Sequence, residues 1–173
     1  MKRKNISLII SCLILGIMAL AAIFCKQICP YDPNAQDLTS SFIPPFSTGH
    51  ILGTDNLGRD ILCRIIYGAR ISLFVGIVGT VIGFAVGVAL GIVSGYFGGI
   101  IDTVIMRVGD IQLAFPFTLL AIAIIAVLGA GVKNIIIVAV ITGWIKYARV
   151  VRSDVLAVKK MEYIQACKSL GLS

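Results

Sequence analysis

ISLFVGIVGTVIGFAVGVALGIVSGYFGGII, residues 71–101, is the stretch that decides the fold: it carries no charged side chain over 31 residues. At about 1.5 Å per helical residue it is longer than a hydrocarbon core of about 30 Å requires. Inside lipid the backbone must satisfy its own N–H and C=O groups, which a helix does, so residues 71–96 are read as a membrane-spanning helix. Gly79, Gly83, Gly87, Gly91 and Gly95 recur in it at intervals of four and stack along one face. Lipid tails are as apolar as leucine, so spanning helices associate by close packing, and a glycine groove lets another backbone approach.

Working outward, three more spans are expected. Ile6 to Phe24 gives 19 consecutive uncharged residues, Ile111 to Val132 gives 22, and Asn134 to Ile145 gives 12 before Lys146. The last is extended to about Val150, with Lys146 and Arg149 snorkelling and Trp144 and Tyr147 at headgroup depth. Pro116 falls near the start of the third span, where a kink costs least. The expected fold is an all-α integral membrane protein, a helical bundle of about four transmembrane helices at 6–24, 71–96, 111–132 and 134–150. Residues 1–5 precede it, 25–70 form an outer segment with turns at Pro30, Pro33, Pro44 and Pro45 and an interfacial helix, and a further amphipathic helix is expected at about 152–171. On that helix Leu156, Tyr163, Cys167 and Leu170 share a face.

Composition agrees: of 173 residues 58% are hydrophobic and 13% charged, with a mean hydropathy of +1.02, outside the range of ordinary soluble domains. Lys2, Arg3 and Lys4 precede the first span, while Lys146, Arg149, Arg152, Lys159, Lys160 and Lys168 follow the fourth, which places both termini in the cytoplasm. The net charge of +7 is thus a topology signal and no footprint for nucleic acid. Phe24, bulky and immediately before Cys25, argues for an uncleaved anchor in place of a signal peptide. Asp60 with Arg64, and Arg107 with Asp110, are spaced for ion pairs on helices.

Catalytic chemistry finds no support. His50 is the only histidine, with no clustered carboxylates, nucleophile triad or metal motif, so an enzyme is not expected. Asp55-Asn56-Leu57-Gly58 lacks the alternating oxygen ligands of a calcium loop, and no Gly-x-x-x-x-Gly-Lys-Ser/Thr phosphate loop occurs. Cys12, Cys25, Cys29, Cys63 and Cys167 have no metal-ligand spacing and are read as small hydrophobes, with Cys25 placed for a disulfide to Cys29 or Cys63.

Two motifs carry a resemblance. Gly53-Thr54-Asp55, followed by Gly58-Arg59-Asp60, resembles the outer signature of peptide and nickel importer permeases. Gln165-Ala166-Cys167, with Gly171 beyond it, resembles the coupling loop of permease subunits in ATP-binding-cassette importers, Gln165 and Cys167 standing where the family has Glu and Ala. The resemblance, running from about Gly53 to Ser173, implies part of a type I importer permease fold, with residues 71–173 a partial permease core. It implies a second permease subunit, two ATPase subunits and an extracytoplasmic substrate-binding protein as partners in the cell membrane. No cofactor is expected in this chain, ATP and Mg belonging to the ATPases. By the same resemblance Glu162, Gln165, Ala166 and Gly171 couple the ATPase to translocation, and peptides are favoured over nickel as substrate. Because family permeases continue past the coupling loop, truncation at the C-terminus is expected. The alternative is a non-transporting membrane protein that only binds partner helices or the ATPase.

Overall fold

The computed structural model describes residues 2–29, 31–47 and 49–171. Pro30 of the outer turn, Ser173, and the side chains of Lys2, Arg3, Lys4 and Lys168 lie outside the described residues. The chain divides into two units, residues 1–74 and 75–173.

In the first unit, α1 (Lys2–Ile23) begins four residues before the expected span at Ile6 and presents Leu8, Leu13, Leu15 and Leu20 outward, as a lipid-facing helix should. A short α2 (Cys25–Ile28) follows. The outer segment then folds on its signature residues. Thr54 Oγ1 donates to the Ser40 carbonyl at 2.5 Å and accepts from the Ile43 N–H at 2.9 Å. Gly53 is buried beneath the Ile43 carbonyl. The Asp55 carboxylate accepts from the N–H groups of Leu57 and Arg59 at 2.9 and 3.0 Å, from Arg59 Nε at 2.8 Å, and from the Arg64 guanidinium. Burial works to raise the Asp55 pKa, but the Arg59 and Leu57 N–H groups and the Arg59 guanidinium outweigh it and hold the carboxyl at about 2. The clasp therefore stays charged across the neutral range.

The Asp60–Arg64 ion pair does not form. Asp60 stands immediately before α3 (Ile61–Phe97) and is used as its cap, accepting from the Cys63 N–H at 2.7 Å and from His50 Nδ1 at 2.8 Å. Arg64 turns to Asp55 instead. The expected interfacial helix is the first part of α3 itself, which continues unbroken for 37 residues.

The second unit holds the rest of α3 with α4 (Gly99–Ala114), α5 (Phe117–Leu128), α6 (Val132–Val158) and α7 (Glu162–Ser169). The third span, expected at 111–132 with a kink near Pro116, is built from α4 and α5 meeting at 94°. The break is at Phe115-Pro116: proline lacks an N–H and pushes the residue before it out of the helical region, and Phe115 sits at φ −87°, ψ 135°. At 12 residues α5 is about 18 Å long, too short to cross alone.

The fourth helix, expected to end at about Val150, runs to Val158, and the expected helix at 152–171 is split between α6 and α7 by a turn at residues 159–161. Leu156 is therefore on a different helix from Tyr163 and Cys167, and Leu170 lies in the turn just after that second helix. Trp144 and Tyr147 pack against neighbouring helices. Trp144 is buried and donates from Nε1 to Gln112 Oε1 at 2.9 Å, and Tyr147 meets Phe84 edge-on at 5.4 Å. The Arg107–Asp110 pair is likewise displaced, Asp110 accepting from Arg149 at 2.5 Å.

Candidate functional site

The glycine face of α3 is turned towards α6. A Cβ placed on Gly87 would lie 2.4 Å from the Trp144 carbonyl oxygen, one on Gly91 2.7 Å from that of Ala148, and one on Gly95 2.8 Å from Val155 Cβ. Gly79 faces Ala139 and Gly83 faces Val140. Residue numbers rise together on the two helices, so α3 and α6 run parallel with backbones in near contact, and at Gly87 and Gly91 there is no room for a Cβ.

α4 lies antiparallel to α6 and is clipped to it at three levels. Asp102 pairs with Arg152, Asp110 with Arg149 and Gln112 with Trp144. Between the clips Ile145, fully buried, packs over Gly109. The Asp110–Arg149 pair is about half exposed on both sides and is worth little.

The strongest junction is at Asp102. Its carboxylate accepts from Arg152 Nε and Nη2, each at 2.5 Å, and from Ser94 Oγ at 2.5 Å. Ser94 is wholly buried. One carboxylate thus ties the last turns of α3, the first turn of α4 and the far end of α6, in the bidentate geometry that suits guanidinium. A few residues on, Lys159 Nζ donates to the carbonyls of Tyr96 at 2.8 Å and Gly95 at 3.3 Å. These are among the carbonyls that α3 leaves without helical partners at its end. Ser94, Asp102, Arg152 and Lys159 were not read as a group from the sequence. An isolated Asp in an apolar region was the signal, but its partner lies 50 residues away.

α7 stands beyond this junction. The Gln165 side-chain amide donates to the Lys159 carbonyl at 3.0 Å, satisfying an acceptor freed where α6 stops. Glu162 lies in the first turn of α7, where a negative charge suits the helix dipole. Leu170 N–H closes back on the Ala166 and Cys167 carbonyls, and Gly171 follows at φ +77°, the left-handed position that ends helices. Glu162, Gln165, Ala166 and Gly171 are all exposed, as are Tyr163 and Leu170. The helix offers a partner both charge and apolar area.

Asp102→Asn is expected to lower stability in detergent by about 1.5–3 kcal/mol, the usual worth of a hydrogen bond to a charged group, and Ser94→Ala by less. Fluorescence of Trp144, the only tryptophan, followed through thermal unfolding measures both. Equal midpoints for wild type and Asp102→Asn would remove the junction from the account.

Comparison with known proteins follows the same division of the chain. The family model for binding-protein-dependent transport system inner membrane components matches residues 87–173, and the model for the N-terminal transmembrane domain of oligopeptide transport permease C matches residues 3–45. The chain is 41% identical over 169 residues to an oligopeptide transport system permease of Bacillus subtilis, covering 98% of this chain and 55% of the relative. It is 36% identical over 159 residues to a nickel transport system permease of Escherichia coli, covering 92% and 57%. It is 42% identical over 158 residues to a glutathione transport system permease of Escherichia coli, covering 91% and 52%. The chain spans about half the length of the curated relatives it matches.

Proposed function

The chain belongs to the family of binding-protein-dependent transport system inner membrane components, and from that premise we propose that it serves as a permease subunit of an ATP-driven importer for peptides. The peptide preference rests on the oligopeptide, dipeptide and glutathione permeases among its relatives, with nickel the next substrate to test. A second permease would line the path with it, two ATPase subunits would hold ATP and Mg, and an extracytoplasmic binding protein would deliver substrate. Both termini face the cytoplasm in this reading, which the cations around the first and last spans support.

The observation that carries the reading is α7: an exposed amphipathic helix held on a short turn beside the Asp102 and Lys159 junction. An ATPase that grips Glu162, Ala166 and Leu170 would move α7, and Gln165 passes that displacement to the end of α6 through the Lys159 carbonyl. From there the ties to α3 and α4 carry it into the bundle.

The test replaces Glu162 by Arg and, separately, Gly171 by Val in the permease reconstituted with its partner subunits in proteoliposomes. Both changes are expected to reduce ATPase copurification and to lower ATP-driven peptide uptake at least about tenfold, equivalent to about 1.4 kcal/mol of coupling. Membrane insertion should be unchanged. Undiminished association and uptake would overturn the assignment of α7.

A further inference from the structure

Three cysteines gather in the first unit. Cys25, Cys29 and Cys63 are 0%, 3% and 2% exposed, all three as thiols, and they have different neighbours. Arg70 Nη1 donates to Cys25 Sγ at 3.3 Å. Cys63 lies in the first turn of α3, one residue before Arg64, and Arg64 and Cys29 line one cavity. Cys63 is itself fixed from behind, its own N–H being held by the Asp60 cap at 2.7 Å. A cavity of about 660 Å³ opens beside them, lined by Lys26, Cys29, Tyr31, Asp32, Arg64 and Tyr67. Cys29 is thus the thiol of the pair that a reagent in the cavity reaches.

We propose that Cys29 and Cys63 are a disulfide-forming pair that fastens the start of the outer segment to the first turn of α3. The sequence left Cys25 as the pivot of any bridge; the structure gives Cys25 to Arg70 and leaves Cys29 and Cys63 to each other. The proposal rests on the reading that this segment faces outward, where thiols are oxidised. The oxidant is of the protein disulfide class, an extracytoplasmic thiol–disulfide exchange partner. Cys29 gives up its proton and attacks one sulfur of the partner's disulfide, forming a mixed disulfide and releasing the first partner thiolate. Cys63 then loses its proton and attacks Cys29 Sγ, displacing the second partner sulfur. Two protein thiols lose two electrons and two protons, and the partner's disulfide is reduced to two thiols. The new bond spans the whole signature from Gly53 to Asp60 and limits how far it can separate from α3.

The experiment takes the chain in native membranes, blocks free thiols with N-ethylmaleimide under denaturing conditions, and maps peptides without reduction. The expected result is a linked pair of peptides containing Cys29 and Cys63, with Cys12, Cys25 and Cys167 alkylated. Cys29→Ser and Cys63→Ser should each abolish the linked pair, and Cys25→Ser should leave it intact. A bridge that includes Cys25 overturns the proposal. Orientation is read separately, by labelling the exposed Asn56→Cys with a membrane-impermeant maleimide in a Cys29→Ser, Cys63→Ser background. If Asn56→Cys is labelled from outside and Cys29 and Cys63 are still fully alkylated in the wild type, the pair is not a disulfide site and the proposal fails. If Asn56→Cys is protected from outside, the topology reading fails, and the proposal with it.

Discussion

Gly87→Ala is expected to be among the most damaging single-methyl changes in the membrane-spanning part of the protein. The added Cβ would sit 2.4 Å from the Trp144 carbonyl oxygen and 2.7 Å from Tyr147 Cβ. Backbone and Cβ atoms cannot swing aside, so α3 and α6 must separate. Overpacking of a tight core costs about 1–3 kcal/mol, and parting these helices also loosens the Trp144, Ile145 and Ala148 core that they share with Leu90, Ile105 and Met106. The same contacts predict a graded series. Gly91→Ala, at 2.7 Å from the Ala148 carbonyl, should approach Gly87→Ala in cost. Gly83→Ala, with its nearest neighbour at 3.8 Å, should be close to neutral, and Gly76→Ala, with nothing within 4 Å, should be neutral or slightly stabilising. Thermal unfolding in detergent, followed by Trp144 emission, gives the order. A flat series would mean that these glycines are only tolerated in the helix and that the parallel packing does not depend on them.

The second large effect is expected at Gly58, in the outer signature. Its φ is +71°, and a Cβ there would fall 1.7 Å from the Asp37 carbonyl oxygen and 2.6 Å from the Asp37 carbonyl carbon. The left-handed backbone alone costs a non-glycine residue about 1–2 kcal/mol, and the collision is with main chain, so the turn must open. Gly58→Ala should therefore unfasten Leu57 from the Asp37 N–H and release the Asp55 carboxylate from Arg59 and Arg64. Hydrogen exchange should rise across residues 52–60 while α1 and the membrane part of α3 keep their protection, since local openings follow cooperative units. Gly68→Ala, in open space within α3, is the control. Unchanged exchange across the signature in Gly58→Ala would mean that the clasp does not hold the segment.

Much of this architecture was legible along the chain because the membrane imposes it locally. Uncharged runs of spanning length are visible without knowing what they touch, and lipid forces them into helices. Glycines at intervals of four announce a face in the same way, since their spacing is a property of one helix. The outer signature and the α7 residues were also contiguous motifs. Errors arose where a local rule competed with a distant partner. Asp60 and Arg64 have helical ion-pair spacing, yet Asp60 was needed as the cap of α3. Arg107 and Asp110 have it too, yet Arg149 reached Asp110 from another helix. Trp144 and Tyr147 were placed at headgroup depth from their neighbouring charges, with no sign that Trp144 donates to Gln112 or that Tyr147 lies against Gly87.

What the sequence by itself determined is the long apolar runs that become helices, the glycine face and the motifs that lie within one turn or one loop, because hydrophobic length, helical period and turn chemistry act over a few residues. Only the tertiary structure decided which face meets which: that α6 runs parallel to α3 and antiparallel to α4, that Asp102 ties Ser94 to Arg152, that Lys159 closes the end of α3, and that Cys29 shares a cavity with Arg64 while Cys25 lies with Arg70. Each of these is a pairing of one charge, thiol or carbonyl with another far along the chain. Many partners satisfy such a group equally well on paper, and the packed backbone leaves room for one.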